Sequence, residues 1–242
     1  MKAVVMGATS GIGREVARLL AAKGWQVGIA GRRVELLHQL ADDHENIVAY
    51  KQIDVTDEHA PALLTQLIEE LGGMDLYFHS SGIGWQNNEL NQEKELRTLE
   101  TNGVGFTRMI DAAYHYFAAV GCGQLACITS IARTKGLGAA PAYSATKRFQ
   151  SHYLECLSQM SHMHHLPLVI TDIRPGFVAT DLIAGGRYPL QLSATEVAKE
   201  IVKGIEKKKS ILTIDWRYRI LVFFWRLIPR WLWVRLPITT EK

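Results

Sequence analysis

The sequence predicts a doubly wound α/β domain, a parallel sheet with helices on both faces. Apolar, strand-like runs alternate with helix-periodic segments as far as about residue 214, and right-handed crossovers turn that alternation into a parallel sheet. The first run leads directly into "GATSGIG" and then into a helix, which is where such folds bind a phosphate group. The 242 residues contain no Pro/Gly/Ser-rich linker, repeat or low-complexity tract, so one large domain is expected, spanning residues 1–214 with a distinct tail over 215–242.

The elements follow in order. "KAVVM" precedes a helix over roughly 11–23, and "WQVGIA" one over roughly 33–43. "NIVAYKQ" precedes a helix near 57–71, and "MDLYFHS" a long helical stretch near 89–119. "GQLACITS" is followed by a helix near 141–162, "LPLVITDI" by a loop and a helix near 194–206, and "SILTI" closes the series. Ligands of such sheets bind beyond the carboxyl ends of the strands.

At the first of those ends, Gly7, Gly11 and Gly13 let the backbone turn sharply and approach a pyrophosphate. The second strand ends "IAGRR". An acidic residue there would suit an adenosine ribose, but Gly31 stands in its place and is followed by Arg32 and Arg33. A guanidinium binds a 2′-phosphate through parallel hydrogen bonds, whereas a carboxylate repels it. NADP(H) is the expected cofactor. Asp54, in "IDVTD", is placed to accept a hydrogen bond from an adenine amino group, while Asp57 is the better helix-cap candidate.

The stretch "YSATK" is hard to explain as packing. Tyr143 and Lys147 are four apart and share one helix face. An ammonium held beside a phenol favours the phenolate, so the tyrosine pKa is expected to fall toward the working pH, making it a usable acid or base.

Together "GATSGIG", Asn102 in "TN", Ser130 in "ITS", "YSATK" and "RPGFVAT" at 174–180 resemble, in order and spacing, the short-chain dehydrogenase/reductase family, over residues 2 to about 214. The resemblance implies a Rossmann-like domain, a nicotinamide cofactor and a catalytic group of Asn102, Ser130, Tyr143 and Lys147. Ser130 would hydrogen-bond the substrate carbonyl, and Tyr143 would give it a proton. Lys147 would also hold the nicotinamide ribose, and the Asn102 backbone would hold a water linking the lysine to solvent. Cofactor contacts carried over are Gly7, Thr9, Ser10, Gly11, Ile12 and Gly13 in the first turn, then Arg32, Arg33, Asp54, Val55, Ser80 and Gly82. Pro175 and Gly176 would turn the chain beneath the nicotinamide, and Val178 and Thr180 would fix its carboxamide.

Three features depart from the family pattern. Met6 precedes Gly7 where the family usually has threonine. His79, Ser80, Ser81 and Gly82 replace an Asn-Asn-Ala-Gly, with Ser80 able to supply part of the lost hydrogen bonding. The third departure is the tail, "DWRYRILVFFWRLIPRWLWVRLP", which holds four of the six tryptophans and five arginines. Its apolar run from Ile220 to Trp225 falls far short of the ~20 residues needed to span a bilayer. Pro229 should break or kink the helix. Tryptophan with arginine suits a segment lying in a membrane interface. The alternative is a tail packed on the domain or on a partner subunit, capping the substrate cleft. Either placement hints at a hydrophobic substrate.

The expected activity is NADPH-dependent reduction of a ketone or aldehyde to the alcohol. Alternatives are a 3-oxoacyl-thioester reductase, the reverse alcohol dehydrogenase, or a non-enzymatic NADP(H)-binding module, which would have no need of a proton donor. Substrate identity rests with variable loops at about 83–95 and 181–193. Apolar positions at Phe149, Tyr153, Leu154 and Leu157 exceed what one sheet-facing side requires, and with the family's habit they imply a homodimer or homotetramer. A net charge of +3 gives no reason to expect nucleic acid. Cys122, Cys127 and Cys156 lack metal or redox spacing and read as free thiols in a reducing cytoplasm. The "HMHH" histidines, His162, His164 and His165, suit a helix C-terminus, and no metal is expected.

Overall fold

The computed structural model describes residues 1–180 and 190–238. Its main sheet contains β1 (Lys2–Met6), β2 (Gln26–Gly31), β3 (Ile47–Gln52), β4 (Leu76–His79), β5 (Gly123–Ile128), β6 (Leu168–Pro175) and β9 (Ile211–Ile214). All pairs are parallel, in the order β3-β2-β1-β4-β5-β6-β9. The order reverses direction between β1 and β4, which opens a crevice at their carboxyl ends. A second, two-stranded pairing joins β7 (Val178–Ala179) to β8 (Leu192–Ser193).

Strands buried on both faces must be apolar almost throughout. Ala3, Val4, Val5 and Met6 are accordingly inaccessible to solvent. Alternate residues feed two separate cores. Val5, Ile29 and Phe78 face α1 (Gly11–Ala22), α2 (Val34–Asp42) and α7 (Ala194–Glu206). Val4, Met6, Tyr77 and Leu125 face α3 (Ala60–Leu71), α5 (Phe106–Val120) and α6 (Pro141–Met163). Burying each such aliphatic or aromatic side chain contributes on the order of 1.5–3 kcal/mol.

The long helical stretch expected near 89–119 runs without a break from Gln92 to Val120, and within it a π-helical segment, Glu100–Gly105, lies between α4 (Gln92–Leu99) and α5. That segment carries Asn102, and π-segments inside helices frequently mark functional sites. Asp57 does not cap α3, whose N-cap position is His59. Its carboxylate instead accepts from the His59 amide at 2.8 Å in the preceding turn.

Pro229 divides the tail as expected, into α8 (Trp216–Leu227) and α9 (Arg230–Trp233). Tyr218 and Val222, one turn apart, are buried in the first core. Trp233 is buried as well, its indole donating to the Gly136 carbonyl at 2.7 Å.

Candidate active site

Ser130 lies just past β5 at the start of a short 3-10 turn, Ile131–Arg133, and its Oγ accepts from the Ala132 amide at 3.0 Å. Its own proton is therefore free to be donated elsewhere. Tyr143 stands in the first turn of α6, where the Ser130 hydroxyl acts on its ionisation. The twelve residues of intervening chain are held in place by their neighbours. Ser144 Oγ lies 3.0 Å from the carbonyls of Ala132 and Lys135 and accepts from the Leu137 amide at 3.2 Å. Glu95, on α4, accepts from the Ala142 amide at 2.9 Å, placing a carboxylate at the N-terminus of α6, where the helix dipole favours it. Gly84 lies against the tyrosine ring so closely that a Cβ there would come within 2.3 Å of it. Gly84, Glu95 and Ser144 were not singled out in the sequence.

The expected fall in the tyrosine pKa does not occur. Burial raises Tyr143 from its ordinary 10, with the Ser130 hydrogen bond opposing. Lys147 Nζ sits 5.7 Å from the phenol ring centroid and spends its donors elsewhere, on Ile128 O at 3.0 Å and Gln150 Oε1 at 2.9 Å. The lysine is itself depressed to about 8 by burial, with Cys127 and Asp172 pulling it back up. The phenol is thus held protonated, ready to act as an acid.

Asn102 is fully buried. Its side chain clamps the backbone of Ile83, accepting from the amide at 2.9 Å and donating to the carbonyl at 2.7 Å. Its own carbonyl, expected to hold a water, accepts from Gln150 Nε2 at 2.9 Å. Gln150 thus bridges Lys147 to Asn102 with both ends of one buried amide. Gly82 lies beside both Asn102 Oδ1 and Lys147 Nζ.

His79, a departure from the family pattern, ends β4 fully buried. Its Nδ1 is 3.0 Å from the Tyr77 hydroxyl and its ring meets Phe106 edge-on. Burial, reinforced by Lys147, lowers it to about 3, so it is neutral. Behind Ser130, the buried Asp172 accepts from Thr129 at 2.5 Å, from Ser151, and from Arg174 Nε at 2.8 Å.

At the nucleotide end, a cavity of about 430 Å³ is lined by Thr9, Ser10, Gly11, Arg14, Arg33 and Thr180, among others. Arg33 donates to Thr9 Oγ1 and Ser10 Oγ, both at 2.8 Å. Arg32, the arginine favoured by the sequence, is exposed and does not line this cavity. Arg14, which does, was missed; its position in the first turn of the helix after "GATSGIG" was the available signal. Two guanidinium groups beside a helix N-terminus fit a phosphate-bearing nucleotide, and this donor set fits NADP(H). Asp54 Oδ1 accepts from the Thr56 amide and hydroxyl at 3.0 and 2.8 Å. Val55 O accepts from Arg108 at 2.9 Å. Ser80 donates its amide to Met6 O at 2.8 Å, and Gly7 packs against the Ser80–Ser81 peptide. Ile12 packs against the first core beside the buried Gly13.

Thr180 approaches Gly11 across the crevice, and its hydroxyl donates to Val178 O at 3.2 Å. Between them and β6, the Pro175–Gly176 turn is fixed from the tail. The Tyr218 ring lies where a Cβ on Gly176 would come within 2.1 Å, and its hydroxyl accepts from the Phe177 amide at 3.1 Å. Tyr218 lay in the part of the chain set aside as a tail. The expected substrate-shaping loop at 181–193 falls partly outside the described residues.

The model of the short chain dehydrogenase family matches residues 1–187, and the chain belongs to that family. An uncharacterized oxidoreductase of Myxococcus xanthus is 31% identical over 94% of this chain and 92% of its own. One of Mycobacterium tuberculosis is 29% identical over 100% and 96%. The rat dehydrogenase/reductase SDR family member 7B is 27% identical over 94% and 77%. Among solved structures, an actinorhodin polyketide ketoreductase with NADPH superposes with a TM-score of 0.77 at 24% identity, covering 88% of this chain and 95% of its own. An alcohol dehydrogenase of Thermococcus sibiricus complexed with 5-hydroxy-NADP also gives 0.77, at 23% identity over 90% and 97%. These structural likenesses establish the shared fold. The protein is an oxidoreductase of this family.

Proposed function

We propose that the protein reduces a ketone or aldehyde, of hydrophobic character, to the alcohol with NADPH. The observation that carries this reading is the placing of Tyr143 at the start of α6, held protonated by its desolvation, with the Ser130 hydroxyl acting on its ionisation and Lys147 Nζ 5.7 Å from its ring. A nicotinamide cofactor, when bound, supplies the hydride. The Ser130 hydroxyl, with its amide contact already filled by Ala132, donates to the carbonyl oxygen and stabilises the charge that develops there. Tyr143 transfers its proton to the same oxygen. Lys147, braced by Ile128 and Gln150, keeps a cation near the phenol as its negative charge appears.

Arg14 and Arg33 would hold the 2′-phosphate, which favours NADPH over NADH. Backbone and side chains of the first turn, with Gly82, Val178 and Thr180, would line the rest of the cofactor. The T. sibiricus and actinorhodin proteins, named as an alcohol dehydrogenase with an NADP derivative and a ketoreductase with NADPH, agree with that assignment. Leu96, Leu99, Val104 and Phe149 are exposed on α4, the π-segment and α6, and support pairing of two chains along those helices. Three free thiols fit a cytoplasmic setting.

Following NADPH absorbance against a panel of hydrophobic ketones and aldehydes tests the reading. Turnover that disappears in Tyr143→Phe, with NADPH still bound, supports it. Tight NADPH binding without turnover of any carbonyl compound or alcohol would favour the non-enzymatic module instead.

A further inference from the structure

Helix α8 is apolar on two opposite sides. One side, Tyr218, Leu221, Val222 and Trp225, packs into the domain. The other, Trp216, Ile220, Phe223, Phe224 and Leu227, recurs at helical spacing and faces solvent, Phe223 at 59% and Leu227 at 64% exposure. An apolar stripe along a helix normally packs against another surface. The exposed side continues into Trp231, Val234 and Leu236 beyond Pro229. A large aromatic and aliphatic surface of this kind marks a site of interaction.

Charge identifies the occupant. Residues 216–238 contain five arginines and no aspartate or glutamate. Three are satisfied within the chain: Arg217 by the Asp215 carboxylate, Arg219 by Thr213 O and Arg235 by Trp231 O. Arg226 and Arg230 are exposed and have no hydrogen-bond or ion-pair partner among the described residues. Arg226 also weighs on the charge of Arg133. Arg133 carries a buried Nε without a partner, and burial together with Arg174 depresses it to about 10, with Arg148 and Arg226 adding to the effect. A second copy of this face would bring like charges together with no carboxylate between them, which is costly. An anionic headgroup layer supplies the missing counter-charge, while the acyl boundary accepts the aromatic side chains.

Length sets the geometry. Twelve residues of α8 extend only about 18 Å, well short of a ~30 Å hydrocarbon core. No helix among the described residues is long and apolar enough to cross a membrane. The helix must therefore lie in the surface plane. The hairpin is held rigidly for that purpose: Lys135 donates to Ile228 O and Trp233 donates to Gly136 O, both at 2.7 Å. Those two contacts tie it to the loop that joins Ser130 to Tyr143.

We propose that the outer face of α8 and α9 docks on an anionic lipid surface, with Phe223, Phe224, Leu227 and Trp231 in the acyl boundary and Arg226 and Arg230 on the headgroups. The test is co-sedimentation of the full chain with vesicles of phosphatidylcholine, alone or mixed with phosphatidylglycerol. The protein should pellet with the mixed vesicles at low salt, and at least about tenfold less with pure phosphatidylcholine or at high salt. Arg226→Glu with Arg230→Glu should weaken binding about tenfold or more, and so should Phe223→Ser with Phe224→Ser. All four side chains are exposed, so both double variants should keep the parent melting temperature. A full chain that ignores phosphatidylglycerol vesicles at low salt overturns the proposal. So do folded variants that bind as well as the parent. A third overturning result is a parent that fails to bind vesicles and whose dimer dissociates on the phenylalanine changes, which would make the face a contact between copies.

Discussion

The two ends of the crevice handle positive charge in opposite ways. At the nucleotide end, Arg14 and Arg33 line an open cavity, and Arg33 rests on the neutral hydroxyls of Thr9 and Ser10. At the Tyr143 end, Lys147 is buried, gives its hydrogen bonds to neutral acceptors and is depressed to about 8. The difference separates charge kept for binding from charge kept for chemistry. An exposed guanidinium waits for an anion at little cost to folding. A buried ammonium is held at the edge of losing its proton, where a small change nearby alters its charge.

The harshest test of the chemical end is Tyr143→Phe, which leaves packing and cofactor contacts in place. Carbonyl reduction should fall by ~2–4 orders of magnitude, the worth of a positioned general acid, in steady-state assays with NADPH saturating. The raised phenol pKa gives a companion result. Because the protonated form is favoured, reduction should hold its rate through neutral pH, while alcohol oxidation should climb as pH rises. An oxidation rate already level at pH 7 would mean that the phenol ionises more easily than its burial implies.

Stability against pH tests the lysine. Its folded pKa, about 8, lies below its ordinary 10.5. Below about 8 the amine is protonated in both states, and the cost of burying the charge is fully present. Between about 8 and 10.5 only the unfolded chain binds the proton, so stability rises with pH. Relative to Lys147→Met, the parent should gain up to about 1.4 kcal/mol per pH unit in that window. Denaturant midpoints near pH 7 and pH 9 measure it. Parallel pH dependence in the two proteins would show the lysine to be ordinarily solvated.

Gln150 explains why this end was only partly legible in the sequence. The parallel sheet, the helix order and the glycine-rich turn were readable because each depends on local periodicity or on backbone freedom. Tyr143 and Lys147 were readable because one helical turn separates them. Their environment was not, since it is built from distant segments. Gln150 meets Asn102 across 48 residues, Glu95 meets Ala142 across 47 and Tyr218 meets Phe177 across 41. The π-segment carries Asn102 into contact with Ile83 and Gln150, and nothing in "ETNGVG" announces it. Replacing Gln150 with leucine removes one acceptor from the ammonium and one donor from the Asn102 carbonyl. A loss of ~1–3 kcal/mol in unfolding free energy is expected, with the lysine titrating lower. Gln150→Glu should restore the lysine contact and its charge while losing the donor to Asn102. Unchanged stability in the leucine variant would show that water fills the bridge equally well.

The smallest effect is expected at the open end. On the reading that Arg33 and Arg14 face the 2′-phosphate, Arg33→Ala should weaken NADPH binding by about 1 kcal/mol, roughly fivefold. The figure is modest because the guanidinium is exposed and screened. NADH affinity should not move, since no 2′-phosphate is present to lose its partner. Arg32→Ala is the informative companion. The sequence favoured Arg32, which directly follows Gly31, yet the Arg32 side chain stands outside the cavity, and its carbonyl accepts from Gln52 at 2.9 Å. Calorimetric titration of both cofactors into each variant separates the two arginines. Should Arg32→Ala cost more NADPH affinity than Arg33→Ala, the phosphate lies on the outer side of the "AGRR" turn. The charge at this end would then be waiting in a different place from the one the cavity defines.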